Sequence, residues 1–177
     1  DILTLNNTIT EKINGLNIRN NNGIIEDLNG NIFTAPLIDI QIRPQAEETA
    51  EANQFETLNL DLLDYTIGNI ERIQQDDGED YILIEEDGIY DFFIRINLYH
   101  DLYRAIYLTK NDEVIAGSFS QITDDTSNEN TWASLVSYAT VICNPGDKLK
   151  VKYRTKSDYG NWNVVKVRRI GVLNVND

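Results

Sequence analysis

The stretch Asp87-Gly88-Ile89-Tyr90-Asp91-Phe92-Phe93-Ile94-Arg95-Ile96-Asn97-Leu98 decides the fold. Successive strand side chains point to opposite faces, so Tyr90, Phe92, Ile94, Ile96 and Leu98 share one face and Asp91, Phe93, Arg95 and Asn97 the other. A face made only of large apolar groups has to be covered, and the pattern predicts a long core strand from Ile89 to Leu98 behind the turn Glu86-Asp87-Gly88. Phe93 is the exception on its face, a large ring among polar neighbours and a candidate for an intersubunit surface.

Working outward, Tyr81 to Ile84 precedes that turn, and Leu37-Ile38-Asp39-Ile40-Gln41-Ile42 alternates in the same way, marking the expected start of the domain. Downstream come Tyr103 to Thr109, a turn at Lys110-Asn111-Asp112, Val114 to Ile122, a polar loop from Thr123 to Asn130, and Ser134 to Cys143. Asn144-Pro145-Gly146-Asp147 is a turn with a mechanism, since proline fixes φ and glycine supplies the permissive position. Leu149, Val151 and Tyr153 then alternate with Lys148, Lys150, Lys152 and Arg154, and Tyr159-Gly160-Asn161 leads into Val164 to Leu173. No long helical period is visible. Eight or more strands with short connections point to an all-β, two-sheet sandwich, because one open sheet would leave an apolar face uncovered.

Composition narrows the function classes. The 177 residues suffice for one domain, or one domain with a short appendage, and no apolar run approaches the roughly 20 residues of a membrane helix. A single cysteine, Cys143, and a single histidine, His100, leave little material for disulfides, zinc sites or histidine-based catalysis. The net charge of −14 argues against nucleic acid, whose binding relies on Lys and Arg. Residues 1–90 hold 19 of the 29 acidic and 4 of the 15 basic side chains, so the acidity belongs to the N-terminal half. Methionine is absent and the sequence begins at Asp1, as expected of a processed product or a portion of something longer.

Residues 1–36 carry Asn-Gly pairs at Asn14-Gly15, Asn22-Gly23 and Asn29-Gly30, each suited to a tight hairpin turn. The strand pieces between them are too short to bury a face alone. They suit a stem in which several chains wind together, or an irregular arm lying on the domain. The domain itself is expected over residues 37–177, with residues 44–59 as an acidic connecting loop.

The chemistry-bearing residues read as follows. Asp76, Asp77, Asp124 and Asp125 offer the hard oxygen ligands that calcium takes, against a simpler reading as solvated loops, and no other cofactor is indicated. Trp132, Tyr159, Asn161 and Trp162 lie in or beside loops where an aromatic face could stack on a sugar ring while Asn meets its hydroxyls. Each tryptophan could equally pin its loop to the core. The basic run Lys148 to Lys156 reads as a solvated face protecting an edge strand, or as a surface facing the acidic half of a neighbouring subunit.

Asp87-Gly88-Ile89-Tyr90-Asp91-Phe92 resembles the Pro/Asp-Gly-x-Tyr-x-Phe strand of the tumour necrosis factor and complement-component-one-q superfamily. Leu108-Thr109-Lys110-Asn111 is similar to that family's Leu-x-Lys-Asn turn, and Pro145-Gly146-Asp147-Lys148-Leu149 to its Gly-Asp-x-Val/Leu strand start. Arg169-Ile170-Gly171-Val172-Leu173 resembles the closing Phe-x-Gly-x-Leu strand, departing from it at Arg169. The resemblance spans roughly residues 60–173. It implies a ten-strand jelly roll assembling as a homotrimer, with Phe93, Tyr103, Tyr107 and Tyr138 as interface aromatics or as members of their own core. The same fold resembles the tips of bacteriophage and bacterial surface fibres, and the 21 Asn and 23 Ile fit an AT-rich genome.

The expectation is therefore a non-enzymatic virion structural protein, a trimeric fibre tip at the virion surface. It would attach to other virion proteins through its N-terminal stem, and bind a host-surface glycan or decorate a capsid. The alternatives are an extracellular bacterial surface or spore protein of the same fold, a TNF-like ligand, and a monomeric carbohydrate-binding module or glycan-active enzyme.

Overall fold

A computed structural model describes residues 18–21, 24–27, 32–34, 38–44, 54–75, 78–99, 103–123, 132–154 and 163–172. All its regular structure is β. In chain order the strands are β1 (Ile18–Asn21), β2 (Ile24–Asp27), β3 (Ile32–Thr34), β4 (Asp39–Arg43), β5 (Glu56–Thr57), β6 (Leu62–Ile67), β7 (Ile70–Ile73) and β8 (Tyr81–Ile84). There follow β9 (Gly88–Tyr99), β10 (Tyr103–Lys110), β11 (Glu113–Val114), β12 (Ser120–Thr123), β13 (Trp132–Cys143), β14 (Lys148–Arg154) and β15 (Val164–Gly171).

Three antiparallel sheets result. A small one runs β1-β2-β3, its first pair closing at Asn21 opposite Ile24. A seven-stranded sheet runs β11-β10-β14-β8-β7, with β12 also on β10 and β5 also on β14. A five-stranded sheet runs β13-β9-β15-β4-β6. Burial follows the alternation: Tyr90, Phe92, Ile94, Ile96 and Leu98 on β9 are each fully buried, as are Ile40 and Ile42 on β4 and Val165 and Val167 on β15. Ile106 and Leu108 of β10 and Leu149, Val151 and Tyr153 of β14 supply the seven-stranded sheet's share of the same core. The two large sheets thus bury their apolar faces together, each leaving an outward face.

The turns named in the sequence explain how strands from distant segments meet. Asn111 and Asp112 both have positive φ, 52° and 67°, inside the Lys110–Glu113 pair, as a type I′ hairpin turn requires. Gly146 has φ 92° after Pro145, and the Asp147 backbone N–H donates to the Asn144 carbonyl at 3.1 Å, a type II turn. The two turns lock together. Asn111 Nδ2 donates to Asp147 Oδ1 at 2.7 Å, and the Lys148 N–H donates to Asn111 Oδ1 at 2.9 Å. Partial burial raises the Asp147 pKa, but hydrogen bonds from the Asn144 N–H and Asn111, with Lys110 beside them, outweigh it and hold the carboxyl below its usual range.

Three expectations change. Val114 to Ile122 is not one strand: Gly117, at φ 78°, breaks it into β11 and β12, and the buried Ser118 Oγ accepts from the Leu108 N–H at 3.0 Å. The far end of the acidic connection 44–59 joins the sheet, since Glu56 and Thr57 form β5 against Tyr153 and Lys152. Finally, the basic strand β14 is not an edge. It lies between β10 on one side and β8 with β5 on the other, so its lysines have no edge to protect.

Candidate functional site

The outward face of the five-stranded sheet is built by the residues left over from core alternation. Register places Tyr138 opposite Phe93, and Phe93 opposite Lys166 on the next strand; Lys166 in turn lies opposite Gln41. The row beside it runs Thr140, Asp91, Arg168, Asp39. Across this face the chemistry divides. Toward β4 and β6, polar groups pair beside the exposed Leu62 and Ile67: Arg43 Nε lies 2.5 Å from Asp64 Oδ1, Gln41 donates to Asp64 at 2.9 Å, and Lys166 Nζ lies 3.3 Å from Asp39 and over the Tyr65 ring. The hydrogen bond with Tyr65, against partial burial, holds the Lys166 ammonium above its usual pKa.

Toward β13, exposed apolar side chains stand among polar ones such as Arg95, Asn97, Ser134 and Thr140. Val136 is 50% exposed, Tyr138 53%, Ile142 56% and, on β15, Ile170 54%. Phe93 is half-buried between Tyr138 and Lys166. Thr140 Oγ1 donates to Asp91 at 2.9 Å, and the hydrogen bond that Tyr138 shares with Asp91 holds its phenol above the ordinary tyrosine pKa. Single exposed apolar side chains are normal; here Val136 and Tyr138 group with Phe93, and the Thr140–Asp91–Arg168 row separates them from Ile142 and Ile170.

Of the residues expected at an interface, Phe93 and Tyr138 are brought together. Tyr103 and Tyr107 are not with them, because β10 belongs to the other sheet; Tyr107 faces outward there, against Phe55 and Phe119. Sequence alternation marks outward residues without saying which sheet carries them. Among the loop candidates, Trp132 opens β13 opposite Tyr99, while Tyr159, Asn161 and Trp162 lie outside the described residues. So do Asp76, Asp77, Asp124, Asp125 and His100. Among the described residues no group of three or more His, Cys, Asp or Glu side chains could hold a metal ion. Burial pushes the Cys143 thiol to about 12, far from a reactive thiolate.

Lys150 and Lys152 of β14 have partners within the chain, which displaces the reading of a solvated edge. Lys150 Nζ lies 2.6 Å from Glu79 Oε2 and 2.7 Å from Asp112, and Lys152 pairs with Glu79 Oε1. Thr57 Oγ1 donates to Glu79 at 2.5 Å. Partial burial works against the Glu79 carboxylate, but the hydrogen bonds from Lys150, Lys152 and Thr57 prevail and bring its pKa to about 2.

Arg169, the departure from the closing-strand pattern, also finds a role. Its side chain is buried on the Val165 and Val167 side of β15, and Nη1 lies 2.6 Å from Glu86 Oε2. Tyr90 Oη donates to the Glu86 carbonyl at 2.9 Å, so one acidic residue anchors both. A Cβ on Gly88 would stand 2.7 Å from Arg169 Cδ and 2.8 Å from the Gly171 carbonyl oxygen, so the absence of a side chain at 88 makes room for the arginine.

No protein-family model matches the sequence, and no curated protein matches it. Solved structures do match in fold. Eiger TNF from S. frugiperda superposes with a TM-score of 0.59 at 12% identity, covering 81% of this chain and 98% of that one. Murine APRIL gives 0.58 at 12% identity, covering 76% and 99%. The globular domain of zebrafish complement 1qA gives 0.54 at 14% identity, covering 78% and 100%. With two antiparallel sheets facing one another across a shared core, the chain has the jelly-roll fold of tumour necrosis factor and complement component 1q.

Proposed function

We propose that this chain is a non-enzymatic structural and recognition protein that assembles as a homotrimer. The observation that carries the proposal is the set of exposed apolar side chains on the β13 and β15 part of the five-stranded sheet, with Val136 and Tyr138 beside Phe93, and Ile142 and Ile170 beyond the Thr140–Asp91–Arg168 row. An isologous pair would use this face twice, whereas three copies around an axis close a ring with one repeated contact. The family resemblance favours three.

The finer reading is the tip of a virion fibre, of a bacteriophage head or tail, projecting at the virion surface from a stem formed by residues 1–36 with the jelly roll over 37–177. The Asn-Gly turn repeat and the short strands β1 to β3 support the stem, since three- and four-residue strands need partners to persist. The Asn- and Ile-rich composition supports a phage origin. Other virion proteins would hold the stem, and the distal loops bearing Trp132, Tyr159, Asn161 and Trp162 would meet a host glycan, with calcium at Asp76, Asp77, Asp124 or Asp125 as a structural ion. No helix among the described residues is long and apolar enough to cross a membrane.

Light scattering of the purified chain across dilution and salt tests the assembly. A stable mass of three chains supports it; a single chain at micromolar concentration contradicts it. Loss of adsorption to host cells on adding excess purified protein tests the attachment role, and unchanged adsorption speaks for decoration.

A further inference from the structure

The seven-stranded sheet carries on its outward face a second group of rings that the assembly reading leaves unused. Phe55 just before β5, Tyr107 on β10 and Phe119 just before β12 meet with ring centroids 4.8 Å apart for Phe55–Tyr107, 6.3 Å for Tyr107–Phe119 and 6.5 Å for Phe55–Phe119. Tyr107 and Phe119 lie within 23° of parallel. Phe55 and Tyr107 are partly buried, while Phe119 is 47% exposed. Three rings from separate segments thus make one small aromatic patch open to solvent.

Its surroundings define what suits it. Tyr107 is opposite Lys152 in register, and Lys152 is opposite Thr57, which brings the Glu79 network to the patch's border. Glu79 lies close enough to Tyr107 to act, after burial, in raising its phenol pKa. Lys150 and Lys152 balance Glu79 and Asp112, so the border has both donors and acceptors and no net charge. Among the described residues each ammonium has two polar partners for its three protons.

Size and charge then select the ligand. With one ring half exposed and two mostly covered, the patch offers on the order of 200 Å² of aromatic surface. A protein partner needs about 800 Å² per side, so the patch is too small for one. A polyanion finds no net positive field there. A neutral saccharide fits on each count: its C–H face lies flat on a ring, and its hydroxyls both donate and accept.

We propose that Phe119, with Tyr107 near parallel beside it and Phe55 packed edge-on against Tyr107 at 62°, presents a stacking face for a neutral sugar ring, with Lys152, Glu79 and Thr57 meeting its hydroxyls. The platform is on the opposite sheet from the assembly face and does not depend on trimer formation. It also differs from the distal-loop surface, since none of its residues lies in those loops.

The test uses the full chain with maltohexaose, cellohexaose and N-acetylchitohexaose as probes, read by saturation-transfer NMR and titration calorimetry, and with a heparin hexasaccharide as the charged comparison. At least one neutral probe should bind with a millimolar to sub-millimolar constant. Phe119→Leu keeps apolar packing and removes the flat ring, so it should leave the melting temperature close to wild type and weaken binding by about tenfold. Phe119→Tyr keeps the ring and should stay within about threefold of wild type. No binding of any neutral probe at about 10 mM overturns the proposal. So does binding that survives both Phe119→Leu and Tyr107→Leu, or binding of heparin alone.

Discussion

The two large sheets obey the same inward rule and differ outward. On the seven-stranded sheet, outward Lys150 and Lys152 are drawn into contact with Glu79, Thr57 and Asp112, and the exposed apolar surface is reduced to the Phe55, Tyr107 and Phe119 rings and Val114 at the β11 edge. On the five-stranded sheet, ion pairs gather on the β4 and β6 side, where Leu62 and Ile67 still stand 41% and 42% exposed, and the β13 and β15 side leaves Val136, Tyr138, Ile142 and Ile170 half in solvent. A strand's alternation says which side chains leave the core. What those side chains then do to one another decides how much apolar surface stays in solvent.

The largest expected effect acts on both faces at once. Phe92 is fully buried in β9, the strand that carries Phe93 and Asp91 outward, and Phe92→Ala should cost about 3–5 kcal/mol by chemical denaturation. Amide exchange should then quicken in both large sheets. Quickening confined to one would mean that the sheets do not share a core.

Arg169→Leu comes next and separates the faces at their common end. It strips Glu86 of a buried cation at 2.6 Å, and Glu86 keeps about a third of its side chain in solvent, so the loss should be roughly 2–3 kcal/mol. A denaturation midpoint equal to wild type would show that the pair contributes nothing.

Glu79→Gln touches only the seven-stranded face. Because the Glu79 side chain is 42% exposed, solvent screening reduces the effect of its large pKa shift to about 1 kcal/mol. The sign follows from a folded pKa of about 2 below an ordinary 4.5. The stabilisation is complete above about pH 4.5 and is lost as the pH falls toward 2. The wild type should therefore lose its advantage over Glu79→Gln in acid, with no change in association at neutral pH. A constant difference from pH 2 to 7 would remove Glu79 as the titrating group.

Much of this was legible in the sequence. The strand read from Ile89 to Leu98, which extends to Gly88–Tyr99, the Asn111-Asp112 turn and the Pro145-Gly146 turn are local signals, set by alternation and backbone preference. Partners across the sheet are not local. Nothing near Lys150 announces Glu79, 71 residues away, so the basic strand read as a solvated edge when it lies inside a sheet. For the same reason Tyr107 was grouped with Phe93, although their strands belong to different sheets. Arg169 looked like a flaw in its motif because Glu86 and the space at Gly88 become visible only in three dimensions. The pairing of Phe93 with Tyr138 was half legible: Phe93 stands out against its polar neighbours, but Tyr138 becomes its neighbour only through strand register.

Sedimentation of the wild type beside Tyr138→Glu/Ile142→Glu tests the central claim most directly, since both substitutions sit on half-exposed positions and leave the core intact. The account predicts three chains for the wild type and one folded chain for the variant. A wild type that sediments as a single chain, or a variant that still sediments as three, would contradict it.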